Sequence, residues 1–228
     1  MQDQVAALRW VRNNIAGFNG DPDHITIFGE SAGGTSILVH LSGNDTRGLY
    51  RQAIVESGPL WTNGSELNII STKADAEQYG AEYAKSLGYE DPDAIKNMRS
   101  VDAWTHVNAT PWSASAFWDV HTLRFKPTID GGLIPEGPEK IFLEGRQNPV
   151  PLIIGTNSDE GSTLATNTGM NVTRYKQYVR DHFGEYAAEV LDKYPAATPE
   201  EVQIQMERIL TVLILRVRQS LLPGPSRS

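Results

Sequence analysis

The stretch HITIFGESAGGTSILVHL occupies residues 24–41. Its first part, HITIF, is short, apolar and β-branched, which predicts a buried strand over 24–28. Its last part, TSILVHL, predicts an apolar, buried helix over 35–41. Between them lies Gly29-Glu30-Ser31-Ala32-Gly33, a G-x-S-x-G pattern. The pattern alone is weak, because small residues are common; a strand before it and a helix after it give it meaning. A serine on such a turn projects its oxygen from the edge of a sheet. The turn is strained, and Gly29 and Gly33 are expected to keep Cβ atoms out of the crossing. Ser31 then stands at a helix N-terminus, where N–H groups and the helix dipole favour a developing oxyanion. Ser31 is the candidate nucleophile, and the N–H of Ala32 the candidate local oxyanion donor.

Upstream, Val5, Leu8, Val11 and Ile15 make one apolar stripe, widened by Trp10, and predict a helix over 3–15. Gly17, Gly20, Asp21 and Pro22 predict a turn. Downstream, residues 53–55 form a second short strand ahead of Glu56-Ser57-Gly58. A polar amphipathic helix is expected over 74–87. Residues 104–127 read as aromatic and irregular, with Trp104, Trp112 and Trp118. Asp130-Gly131-Gly132 is a turn, and 135–144 a short helix. VPLIIG at 150–155 is a third buried strand, and helices are expected over 174–183 and 200–218. Strands alternating with helices predict the α/β class, a mostly parallel sheet covered by helices on both faces. No repeat interrupts residues 1–222, whose length suits one large domain or part of one, and PGPSRS at 223–228 reads as a disordered tail.

The composition is that of an ordinary soluble chain, 39% hydrophobic and 21% charged. A net charge of −8 argues against nucleic acid and anionic membrane surfaces as partners. With no cysteine there is no disulfide, thiolate zinc site or cysteine nucleophile. No metal or cofactor is expected. The apolar run ILTVLILRV at 209–217 is far shorter than the roughly 18 residues of a membrane span. The N-terminus has neither the basic start nor the long apolar run of a signal peptide. Four Asn-x-Ser/Thr sequons, at Asn44, Asn63, Asn108 and Asn171, stand against roughly two expected by chance. They are a faint hint of a secretory-pathway ancestor, and the compartment stays open.

A serine hydroxyl is a poor nucleophile until a histidine takes its proton and a carboxylate orients that histidine. With this type of elbow the chain order is serine, acid, histidine. Glu160 and its neighbour Asp159 both follow the 150–155 strand closely enough for a strand-end loop to carry either one to the site.

Four stretches resemble the type-B carboxylesterase and cholinesterase family. They are DQVAALRWVRNNIAGFNGDPDHITIFGESAGG at 3–34, GLYRQAIVESG at 48–58, FKPTIDGGLIPEGP at 125–138 and PLIIGTNSDEGS at 151–162. The resemblance implies a partial α/β-hydrolase fold with Ser31 as nucleophile. It also implies that Glu160, rather than Asp159, is the triad acid. By the same resemblance Glu30 is a buried carboxylate beside the serine, and Ser57 a hydroxyl within that polar network. His121 and Leu123 fall where the family builds an acyl pocket. Thr163 and Leu164 stand where cholinesterases place aromatics. Without an aromatic cage for a quaternary ammonium, a small-molecule carboxylic ester fits better than a choline ester. Trp61, Trp112, Phe117 and Trp118 could line an apolar gorge, though a buried core is the better reading.

The triad's histidine should follow Glu160, and only His182 does. It lies in a predicted helix without a glycine-rich strand end. His24, His40, His106 and His121 all precede Glu160. The upstream glycine-rich loop that completes an oxyanion hole is not in this sequence either. Beyond about residue 209 the family pattern lapses, with Thr211-Val212 where a Thr-Asp pair is expected. The chain therefore reads as a fragment of a family member, negligibly active alone. The competing readings are a non-catalytic, adhesion-type relative, which retention of Ser31 disfavours, and an inactive truncation product with exposed strand edges.

Overall fold

The computed structural model describes residues 1–58, 70–90, 92–109, 125–165 and 169–212. The expectations at Trp61, Trp112, Phe117, Trp118, His121, Leu123 and the 223–228 tail lie outside the described residues, as do the side chains of Thr163 and Leu164.

Strands β1 (Thr26–Glu30) and β2 (Gln52–Glu56) pair in parallel. Two short strands, β3 (Ser71–Thr72) and β4 (Thr128–Ile129), make a separate parallel pair. Strand β5 (Leu152–Gly155) joins β2, so the main sheet runs β1-β2-β5, all parallel. Helices α1 (Gln2–Asn14) and α2 (Ala32–Ser42) flank β1 in sequence. Then come α3 (Lys73–Ser86), α4 (Ala94–Met98), α5 (Ala103–Ala109) and α6 (Pro138–Leu143). After β5 the chain is helical: α7 (Gly161–Leu164), α8 (Val172–Phe183), α9 (Ala187–Lys193) and α10 (Pro199–Leu210). No helix among the described residues is long and apolar enough to cross a membrane.

Two cores hold these elements. In the first, Ile27, Ala53 and Val55 point from one sheet face into Ile37, Leu38 and Leu41 of α2, with Val5 of α1 and Phe142 of α6. The second lies among the last helices. Tyr175 and Val179 of α8 meet Val202, Met206, Ile209 and Leu210 of α10, with Ala187 of α9. Helix α10 is well defined at its start: the Thr198 side chain accepts from the Glu201 N–H, and Pro199 fills the first position.

Several expectations need correction. Strands β1 and β5 are not buried on both sides, since Phe28 is 71% and Ile153 67% exposed. They share a row with Ile54 on the face opposite α2, and among the described residues no helix covers that row. Among the described residues, the helices that pack on this part of the sheet lie on the face that carries Ile27, Ala53 and Val55. Trp10 does not widen the buried stripe of α1; it is exposed and leans on the exposed Phe18. The 3–15 helix ends at Asn14 and continues as a 3-10 turn, Ile15–Phe18. The helix expected from 200 stops at Leu210 and widens into a π turn at Thr211 and Val212, while 213–218 lie outside the described residues. Helices α4, α5 and α9 were not expected; at five to seven residues they show too little periodicity to read.

Candidate active site

Ser31 sits between β1 and α2 at φ 51°, ψ −118°. That is the strained turn its motif predicts. Its N–H donates to the Glu56 carbonyl at 2.9 Å, and its carbonyl accepts from Thr35 N–H at 3.0 Å. One residue is thus tied to the end of β2 on one side and to the first turn of α2 on the other. A Cβ on Gly29 would lie 2.6 Å from the Gly33 carbonyl carbon, so the crossing has no room for one. Gly33 differs from expectation: a Cβ there would meet nothing within 4 Å. It is the backbone of Gly33, not its missing side chain, that Gly29 must clear. Ala32 opens α2, so its N–H has no carbonyl one turn back to bond.

A second close approach was not read from the sequence. A Cβ on Gly34 would sit 2.7 Å from Gly58 Cα, and one on Gly58 would sit 2.8 Å from the Gly34 carbonyl carbon. The start of α2 therefore lies against the chain leaving β2. The glycine after Ser57 was the available signal.

Ser57 follows β2 as Ser31 follows β1, also at positive φ, 50°. Its N–H donates to the Gly155 carbonyl of β5 at 2.9 Å. Its buried hydroxyl donates to Glu160 Oε1, and the Asn157 N–H donates to the same oxygen at 2.7 Å. Ser31, Ser57 and Glu160 thus gather at the carboxyl ends of β1, β2 and β5. Open parallel sheets place their ligand crevices there. Asp159, the rival acid, is exposed. Glu30 departs from expectation: it is exposed, not buried. It shares the alternation of Phe28 and so falls on the sheet face opposite α2, level with Glu56.

The described histidines are engaged elsewhere. Buried His40 meets Gln4 Oε1 through Nε2 at 2.9 Å, and burial pushes its pKa down to about 4. His24 pairs with Asp21 at 2.6 Å, His106 with the Tyr83 hydroxyl at 2.7 Å, and His182 with the Tyr178 carbonyl at 2.8 Å.

The sequence profile of the carboxylesterase family matches residues 1–214. This chain belongs to the carboxylesterase family. It is 35% identical over 212 residues to the para-nitrobenzyl esterase of Bacillus subtilis (strain 168), an overlap of 90% of this chain and 41% of that protein. It is 36% identical over 167 residues to an acetylcholinesterase of Leptinotarsa decemlineata, covering 70% of this chain and 25% of that one. A solved PNB esterase structure matches 96% of the chain and 45% of its own length, with TM-score 0.74 at 30% identity. The architecture is part of the α/β-hydrolase fold, and this carboxylesterase-family chain spans under half the length of these relatives.

Proposed function

We propose that these residues carry the nucleophile and the acid of a serine carboxylic-ester hydrolase, Ser31 and Glu160. The observation that carries this reading is the positive-φ serine between β1 and α2, with a carboxylate held at the end of a strand in the same sheet. The Ser31 hydroxyl oxygen attacks the ester carbonyl carbon, and its proton passes to a histidine. The tetrahedral oxyanion takes a hydrogen bond from Ala32 N–H. Collapse expels the alcohol, which leaves with the histidine's proton. Water, deprotonated by the same base, then attacks the acyl-enzyme and releases the carboxylic acid and Ser31.

Glu160 orients and stabilises the imidazolium in this scheme. Both bonds to its carboxylate fall on Oε1, so Oε2 is available to accept from the imidazole. None of the described histidines stands in that role, and His121 precedes Glu160 against the serine, acid, histidine order, so in this reading residues 1–228 supply no base. Loss of a triad member typically lowers turnover by about 10⁴–10⁶. The polypeptide of residues 1–228 alone is therefore expected to leave p-nitrophenyl butyrate unhydrolysed above the rate of its Ser31→Ala variant. Ser31-dependent turnover by these residues alone would refute the assignment of the base. The substrate is a small carboxylic ester, and Ser57 belongs to the polar surroundings of the two catalytic groups.

A further inference from the structure

We propose that Thr211 is a positioning residue for Glu160, acting from helix α10 through the peptide that joins Glu160 to Gly161. The inference rests on the reading of Glu160 as the triad acid. Thr211 is buried just past the end of α10. Its hydroxyl oxygen accepts from the Gly161 N–H at 2.7 Å and donates to the Glu207 carbonyl at 2.8 Å. A threonine hydroxyl has one proton and two lone pairs. The bond to Glu207 fixes where the proton points and so turns a lone pair toward Gly161.

The contact is close as well as polar. A Cβ on Gly161 would stand 1.7 Å from the Glu207 carbonyl oxygen and 2.7 Å from Thr211 Oγ1. Only glycine lets the two backbones meet. φ at Gly161 is not in the left-handed region, so close approach alone explains this glycine. The backbone of the acid is thus clamped by α10, while its carboxylate is held by Ser57 and Asn157. The hydroxyl at 211 couples the second core to the orientation of the carboxylate.

Asn157 supplies the readout, because its N–H donates directly to Glu160 Oε1. Hydrogen exchange measured residue by residue by mass spectrometry, on the 228-residue chain at micromolar concentration, compares Thr211→Val with Thr211→Ser. Thr211→Val is expected to speed exchange of the Asn157 amide about fivefold, the size set by one hydrogen bond's net contribution. Thr211→Ser keeps the hydroxyl and is expected to keep native protection. Faster exchange at Gly161 with an unchanged Asn157 amide would overturn the inference. So would equal loss at Asn157 in Thr211→Ser, which would make the methyl group's packing the cause. If Thr211→Val also deprotects 199–210, α10 itself has loosened and the serine variant decides alone. The readout needs no turnover, so an unreactive Ser31 would sink the catalytic reading and leave this result standing.

Discussion

Ser31 holds a backbone conformation that costs a non-glycine residue on the order of 1–3 kcal/mol. Its neighbours sustain it through the bonds to Glu56 and Thr35 and through the close pass of Gly29 over Gly33. His40, on the helix behind it, gives a pH test at this scale. Burial lowers its pKa from 6.5 to about 4, and its Nδ1 is buried without a partner. The native state thus disfavours the proton that the unfolded state accepts. Stability is fully present above pH 6.5 and drains away as pH falls toward 4, by up to about 3 kcal/mol. Urea midpoints measured across that window should fall for the native chain and flatten for His40→Gln. An unchanged slope in the variant would show that other groups carry the effect. Ser31 was legible in the sequence because everything that defines it lies within a few residues. The Ser57–Glu160 bond was not, because it joins positions 103 apart. The exposure of Glu30 escaped for a related reason: the alternation gives its face, but not whether anything covers that face.

At the scale of elements, strand–turn–helix order was readable and its surroundings were not. The 24–28 and 150–155 runs are apolar enough to predict strands, and both are strands. Their burial was overestimated because a uniformly apolar strand implies cover on two faces. Here exposed Phe28 and Ile153 flank half-buried Ile54 in one row across β1, β2 and β5. Such a row drives association. Sedimentation of the double variant Phe28→Gln, Ile153→Gln should show less self-association than the native chain, with an unchanged far-ultraviolet dichroism spectrum. Equal association would place the sticky surface elsewhere. The short helices α4 and α9 could not be read, since one or two turns give no period to detect; the packing around them makes them helical. Helix α10 shows the opposite case. Its cap and stripe are local signals, but its part in holding Gly161 depends on a hydroxyl fifty residues away in sequence.

The whole molecule is a partial α/β-hydrolase fold of the carboxylesterase family, in which two cores meet at one loop. The first core presents Ser31 and Ser57 at the carboxyl ends of neighbouring strands. The second reaches that edge through Thr211 and Gly161, beside the carboxylate that Ser57 holds. This division brings the proposed nucleophile and the proposed acid to the same edge of the sheet from two separate cores. The central claim is that Ser31 is the nucleophile, and covalent labelling tests it most directly. The full-length protein is treated with a fluorophosphonate probe, digested and mapped by mass spectrometry. The account predicts a single adduct on Ser31, absent in Ser31→Ala and strongly slowed in Glu160→Gln. No adduct, or an adduct on another serine with Ser31 unmodified, would contradict it.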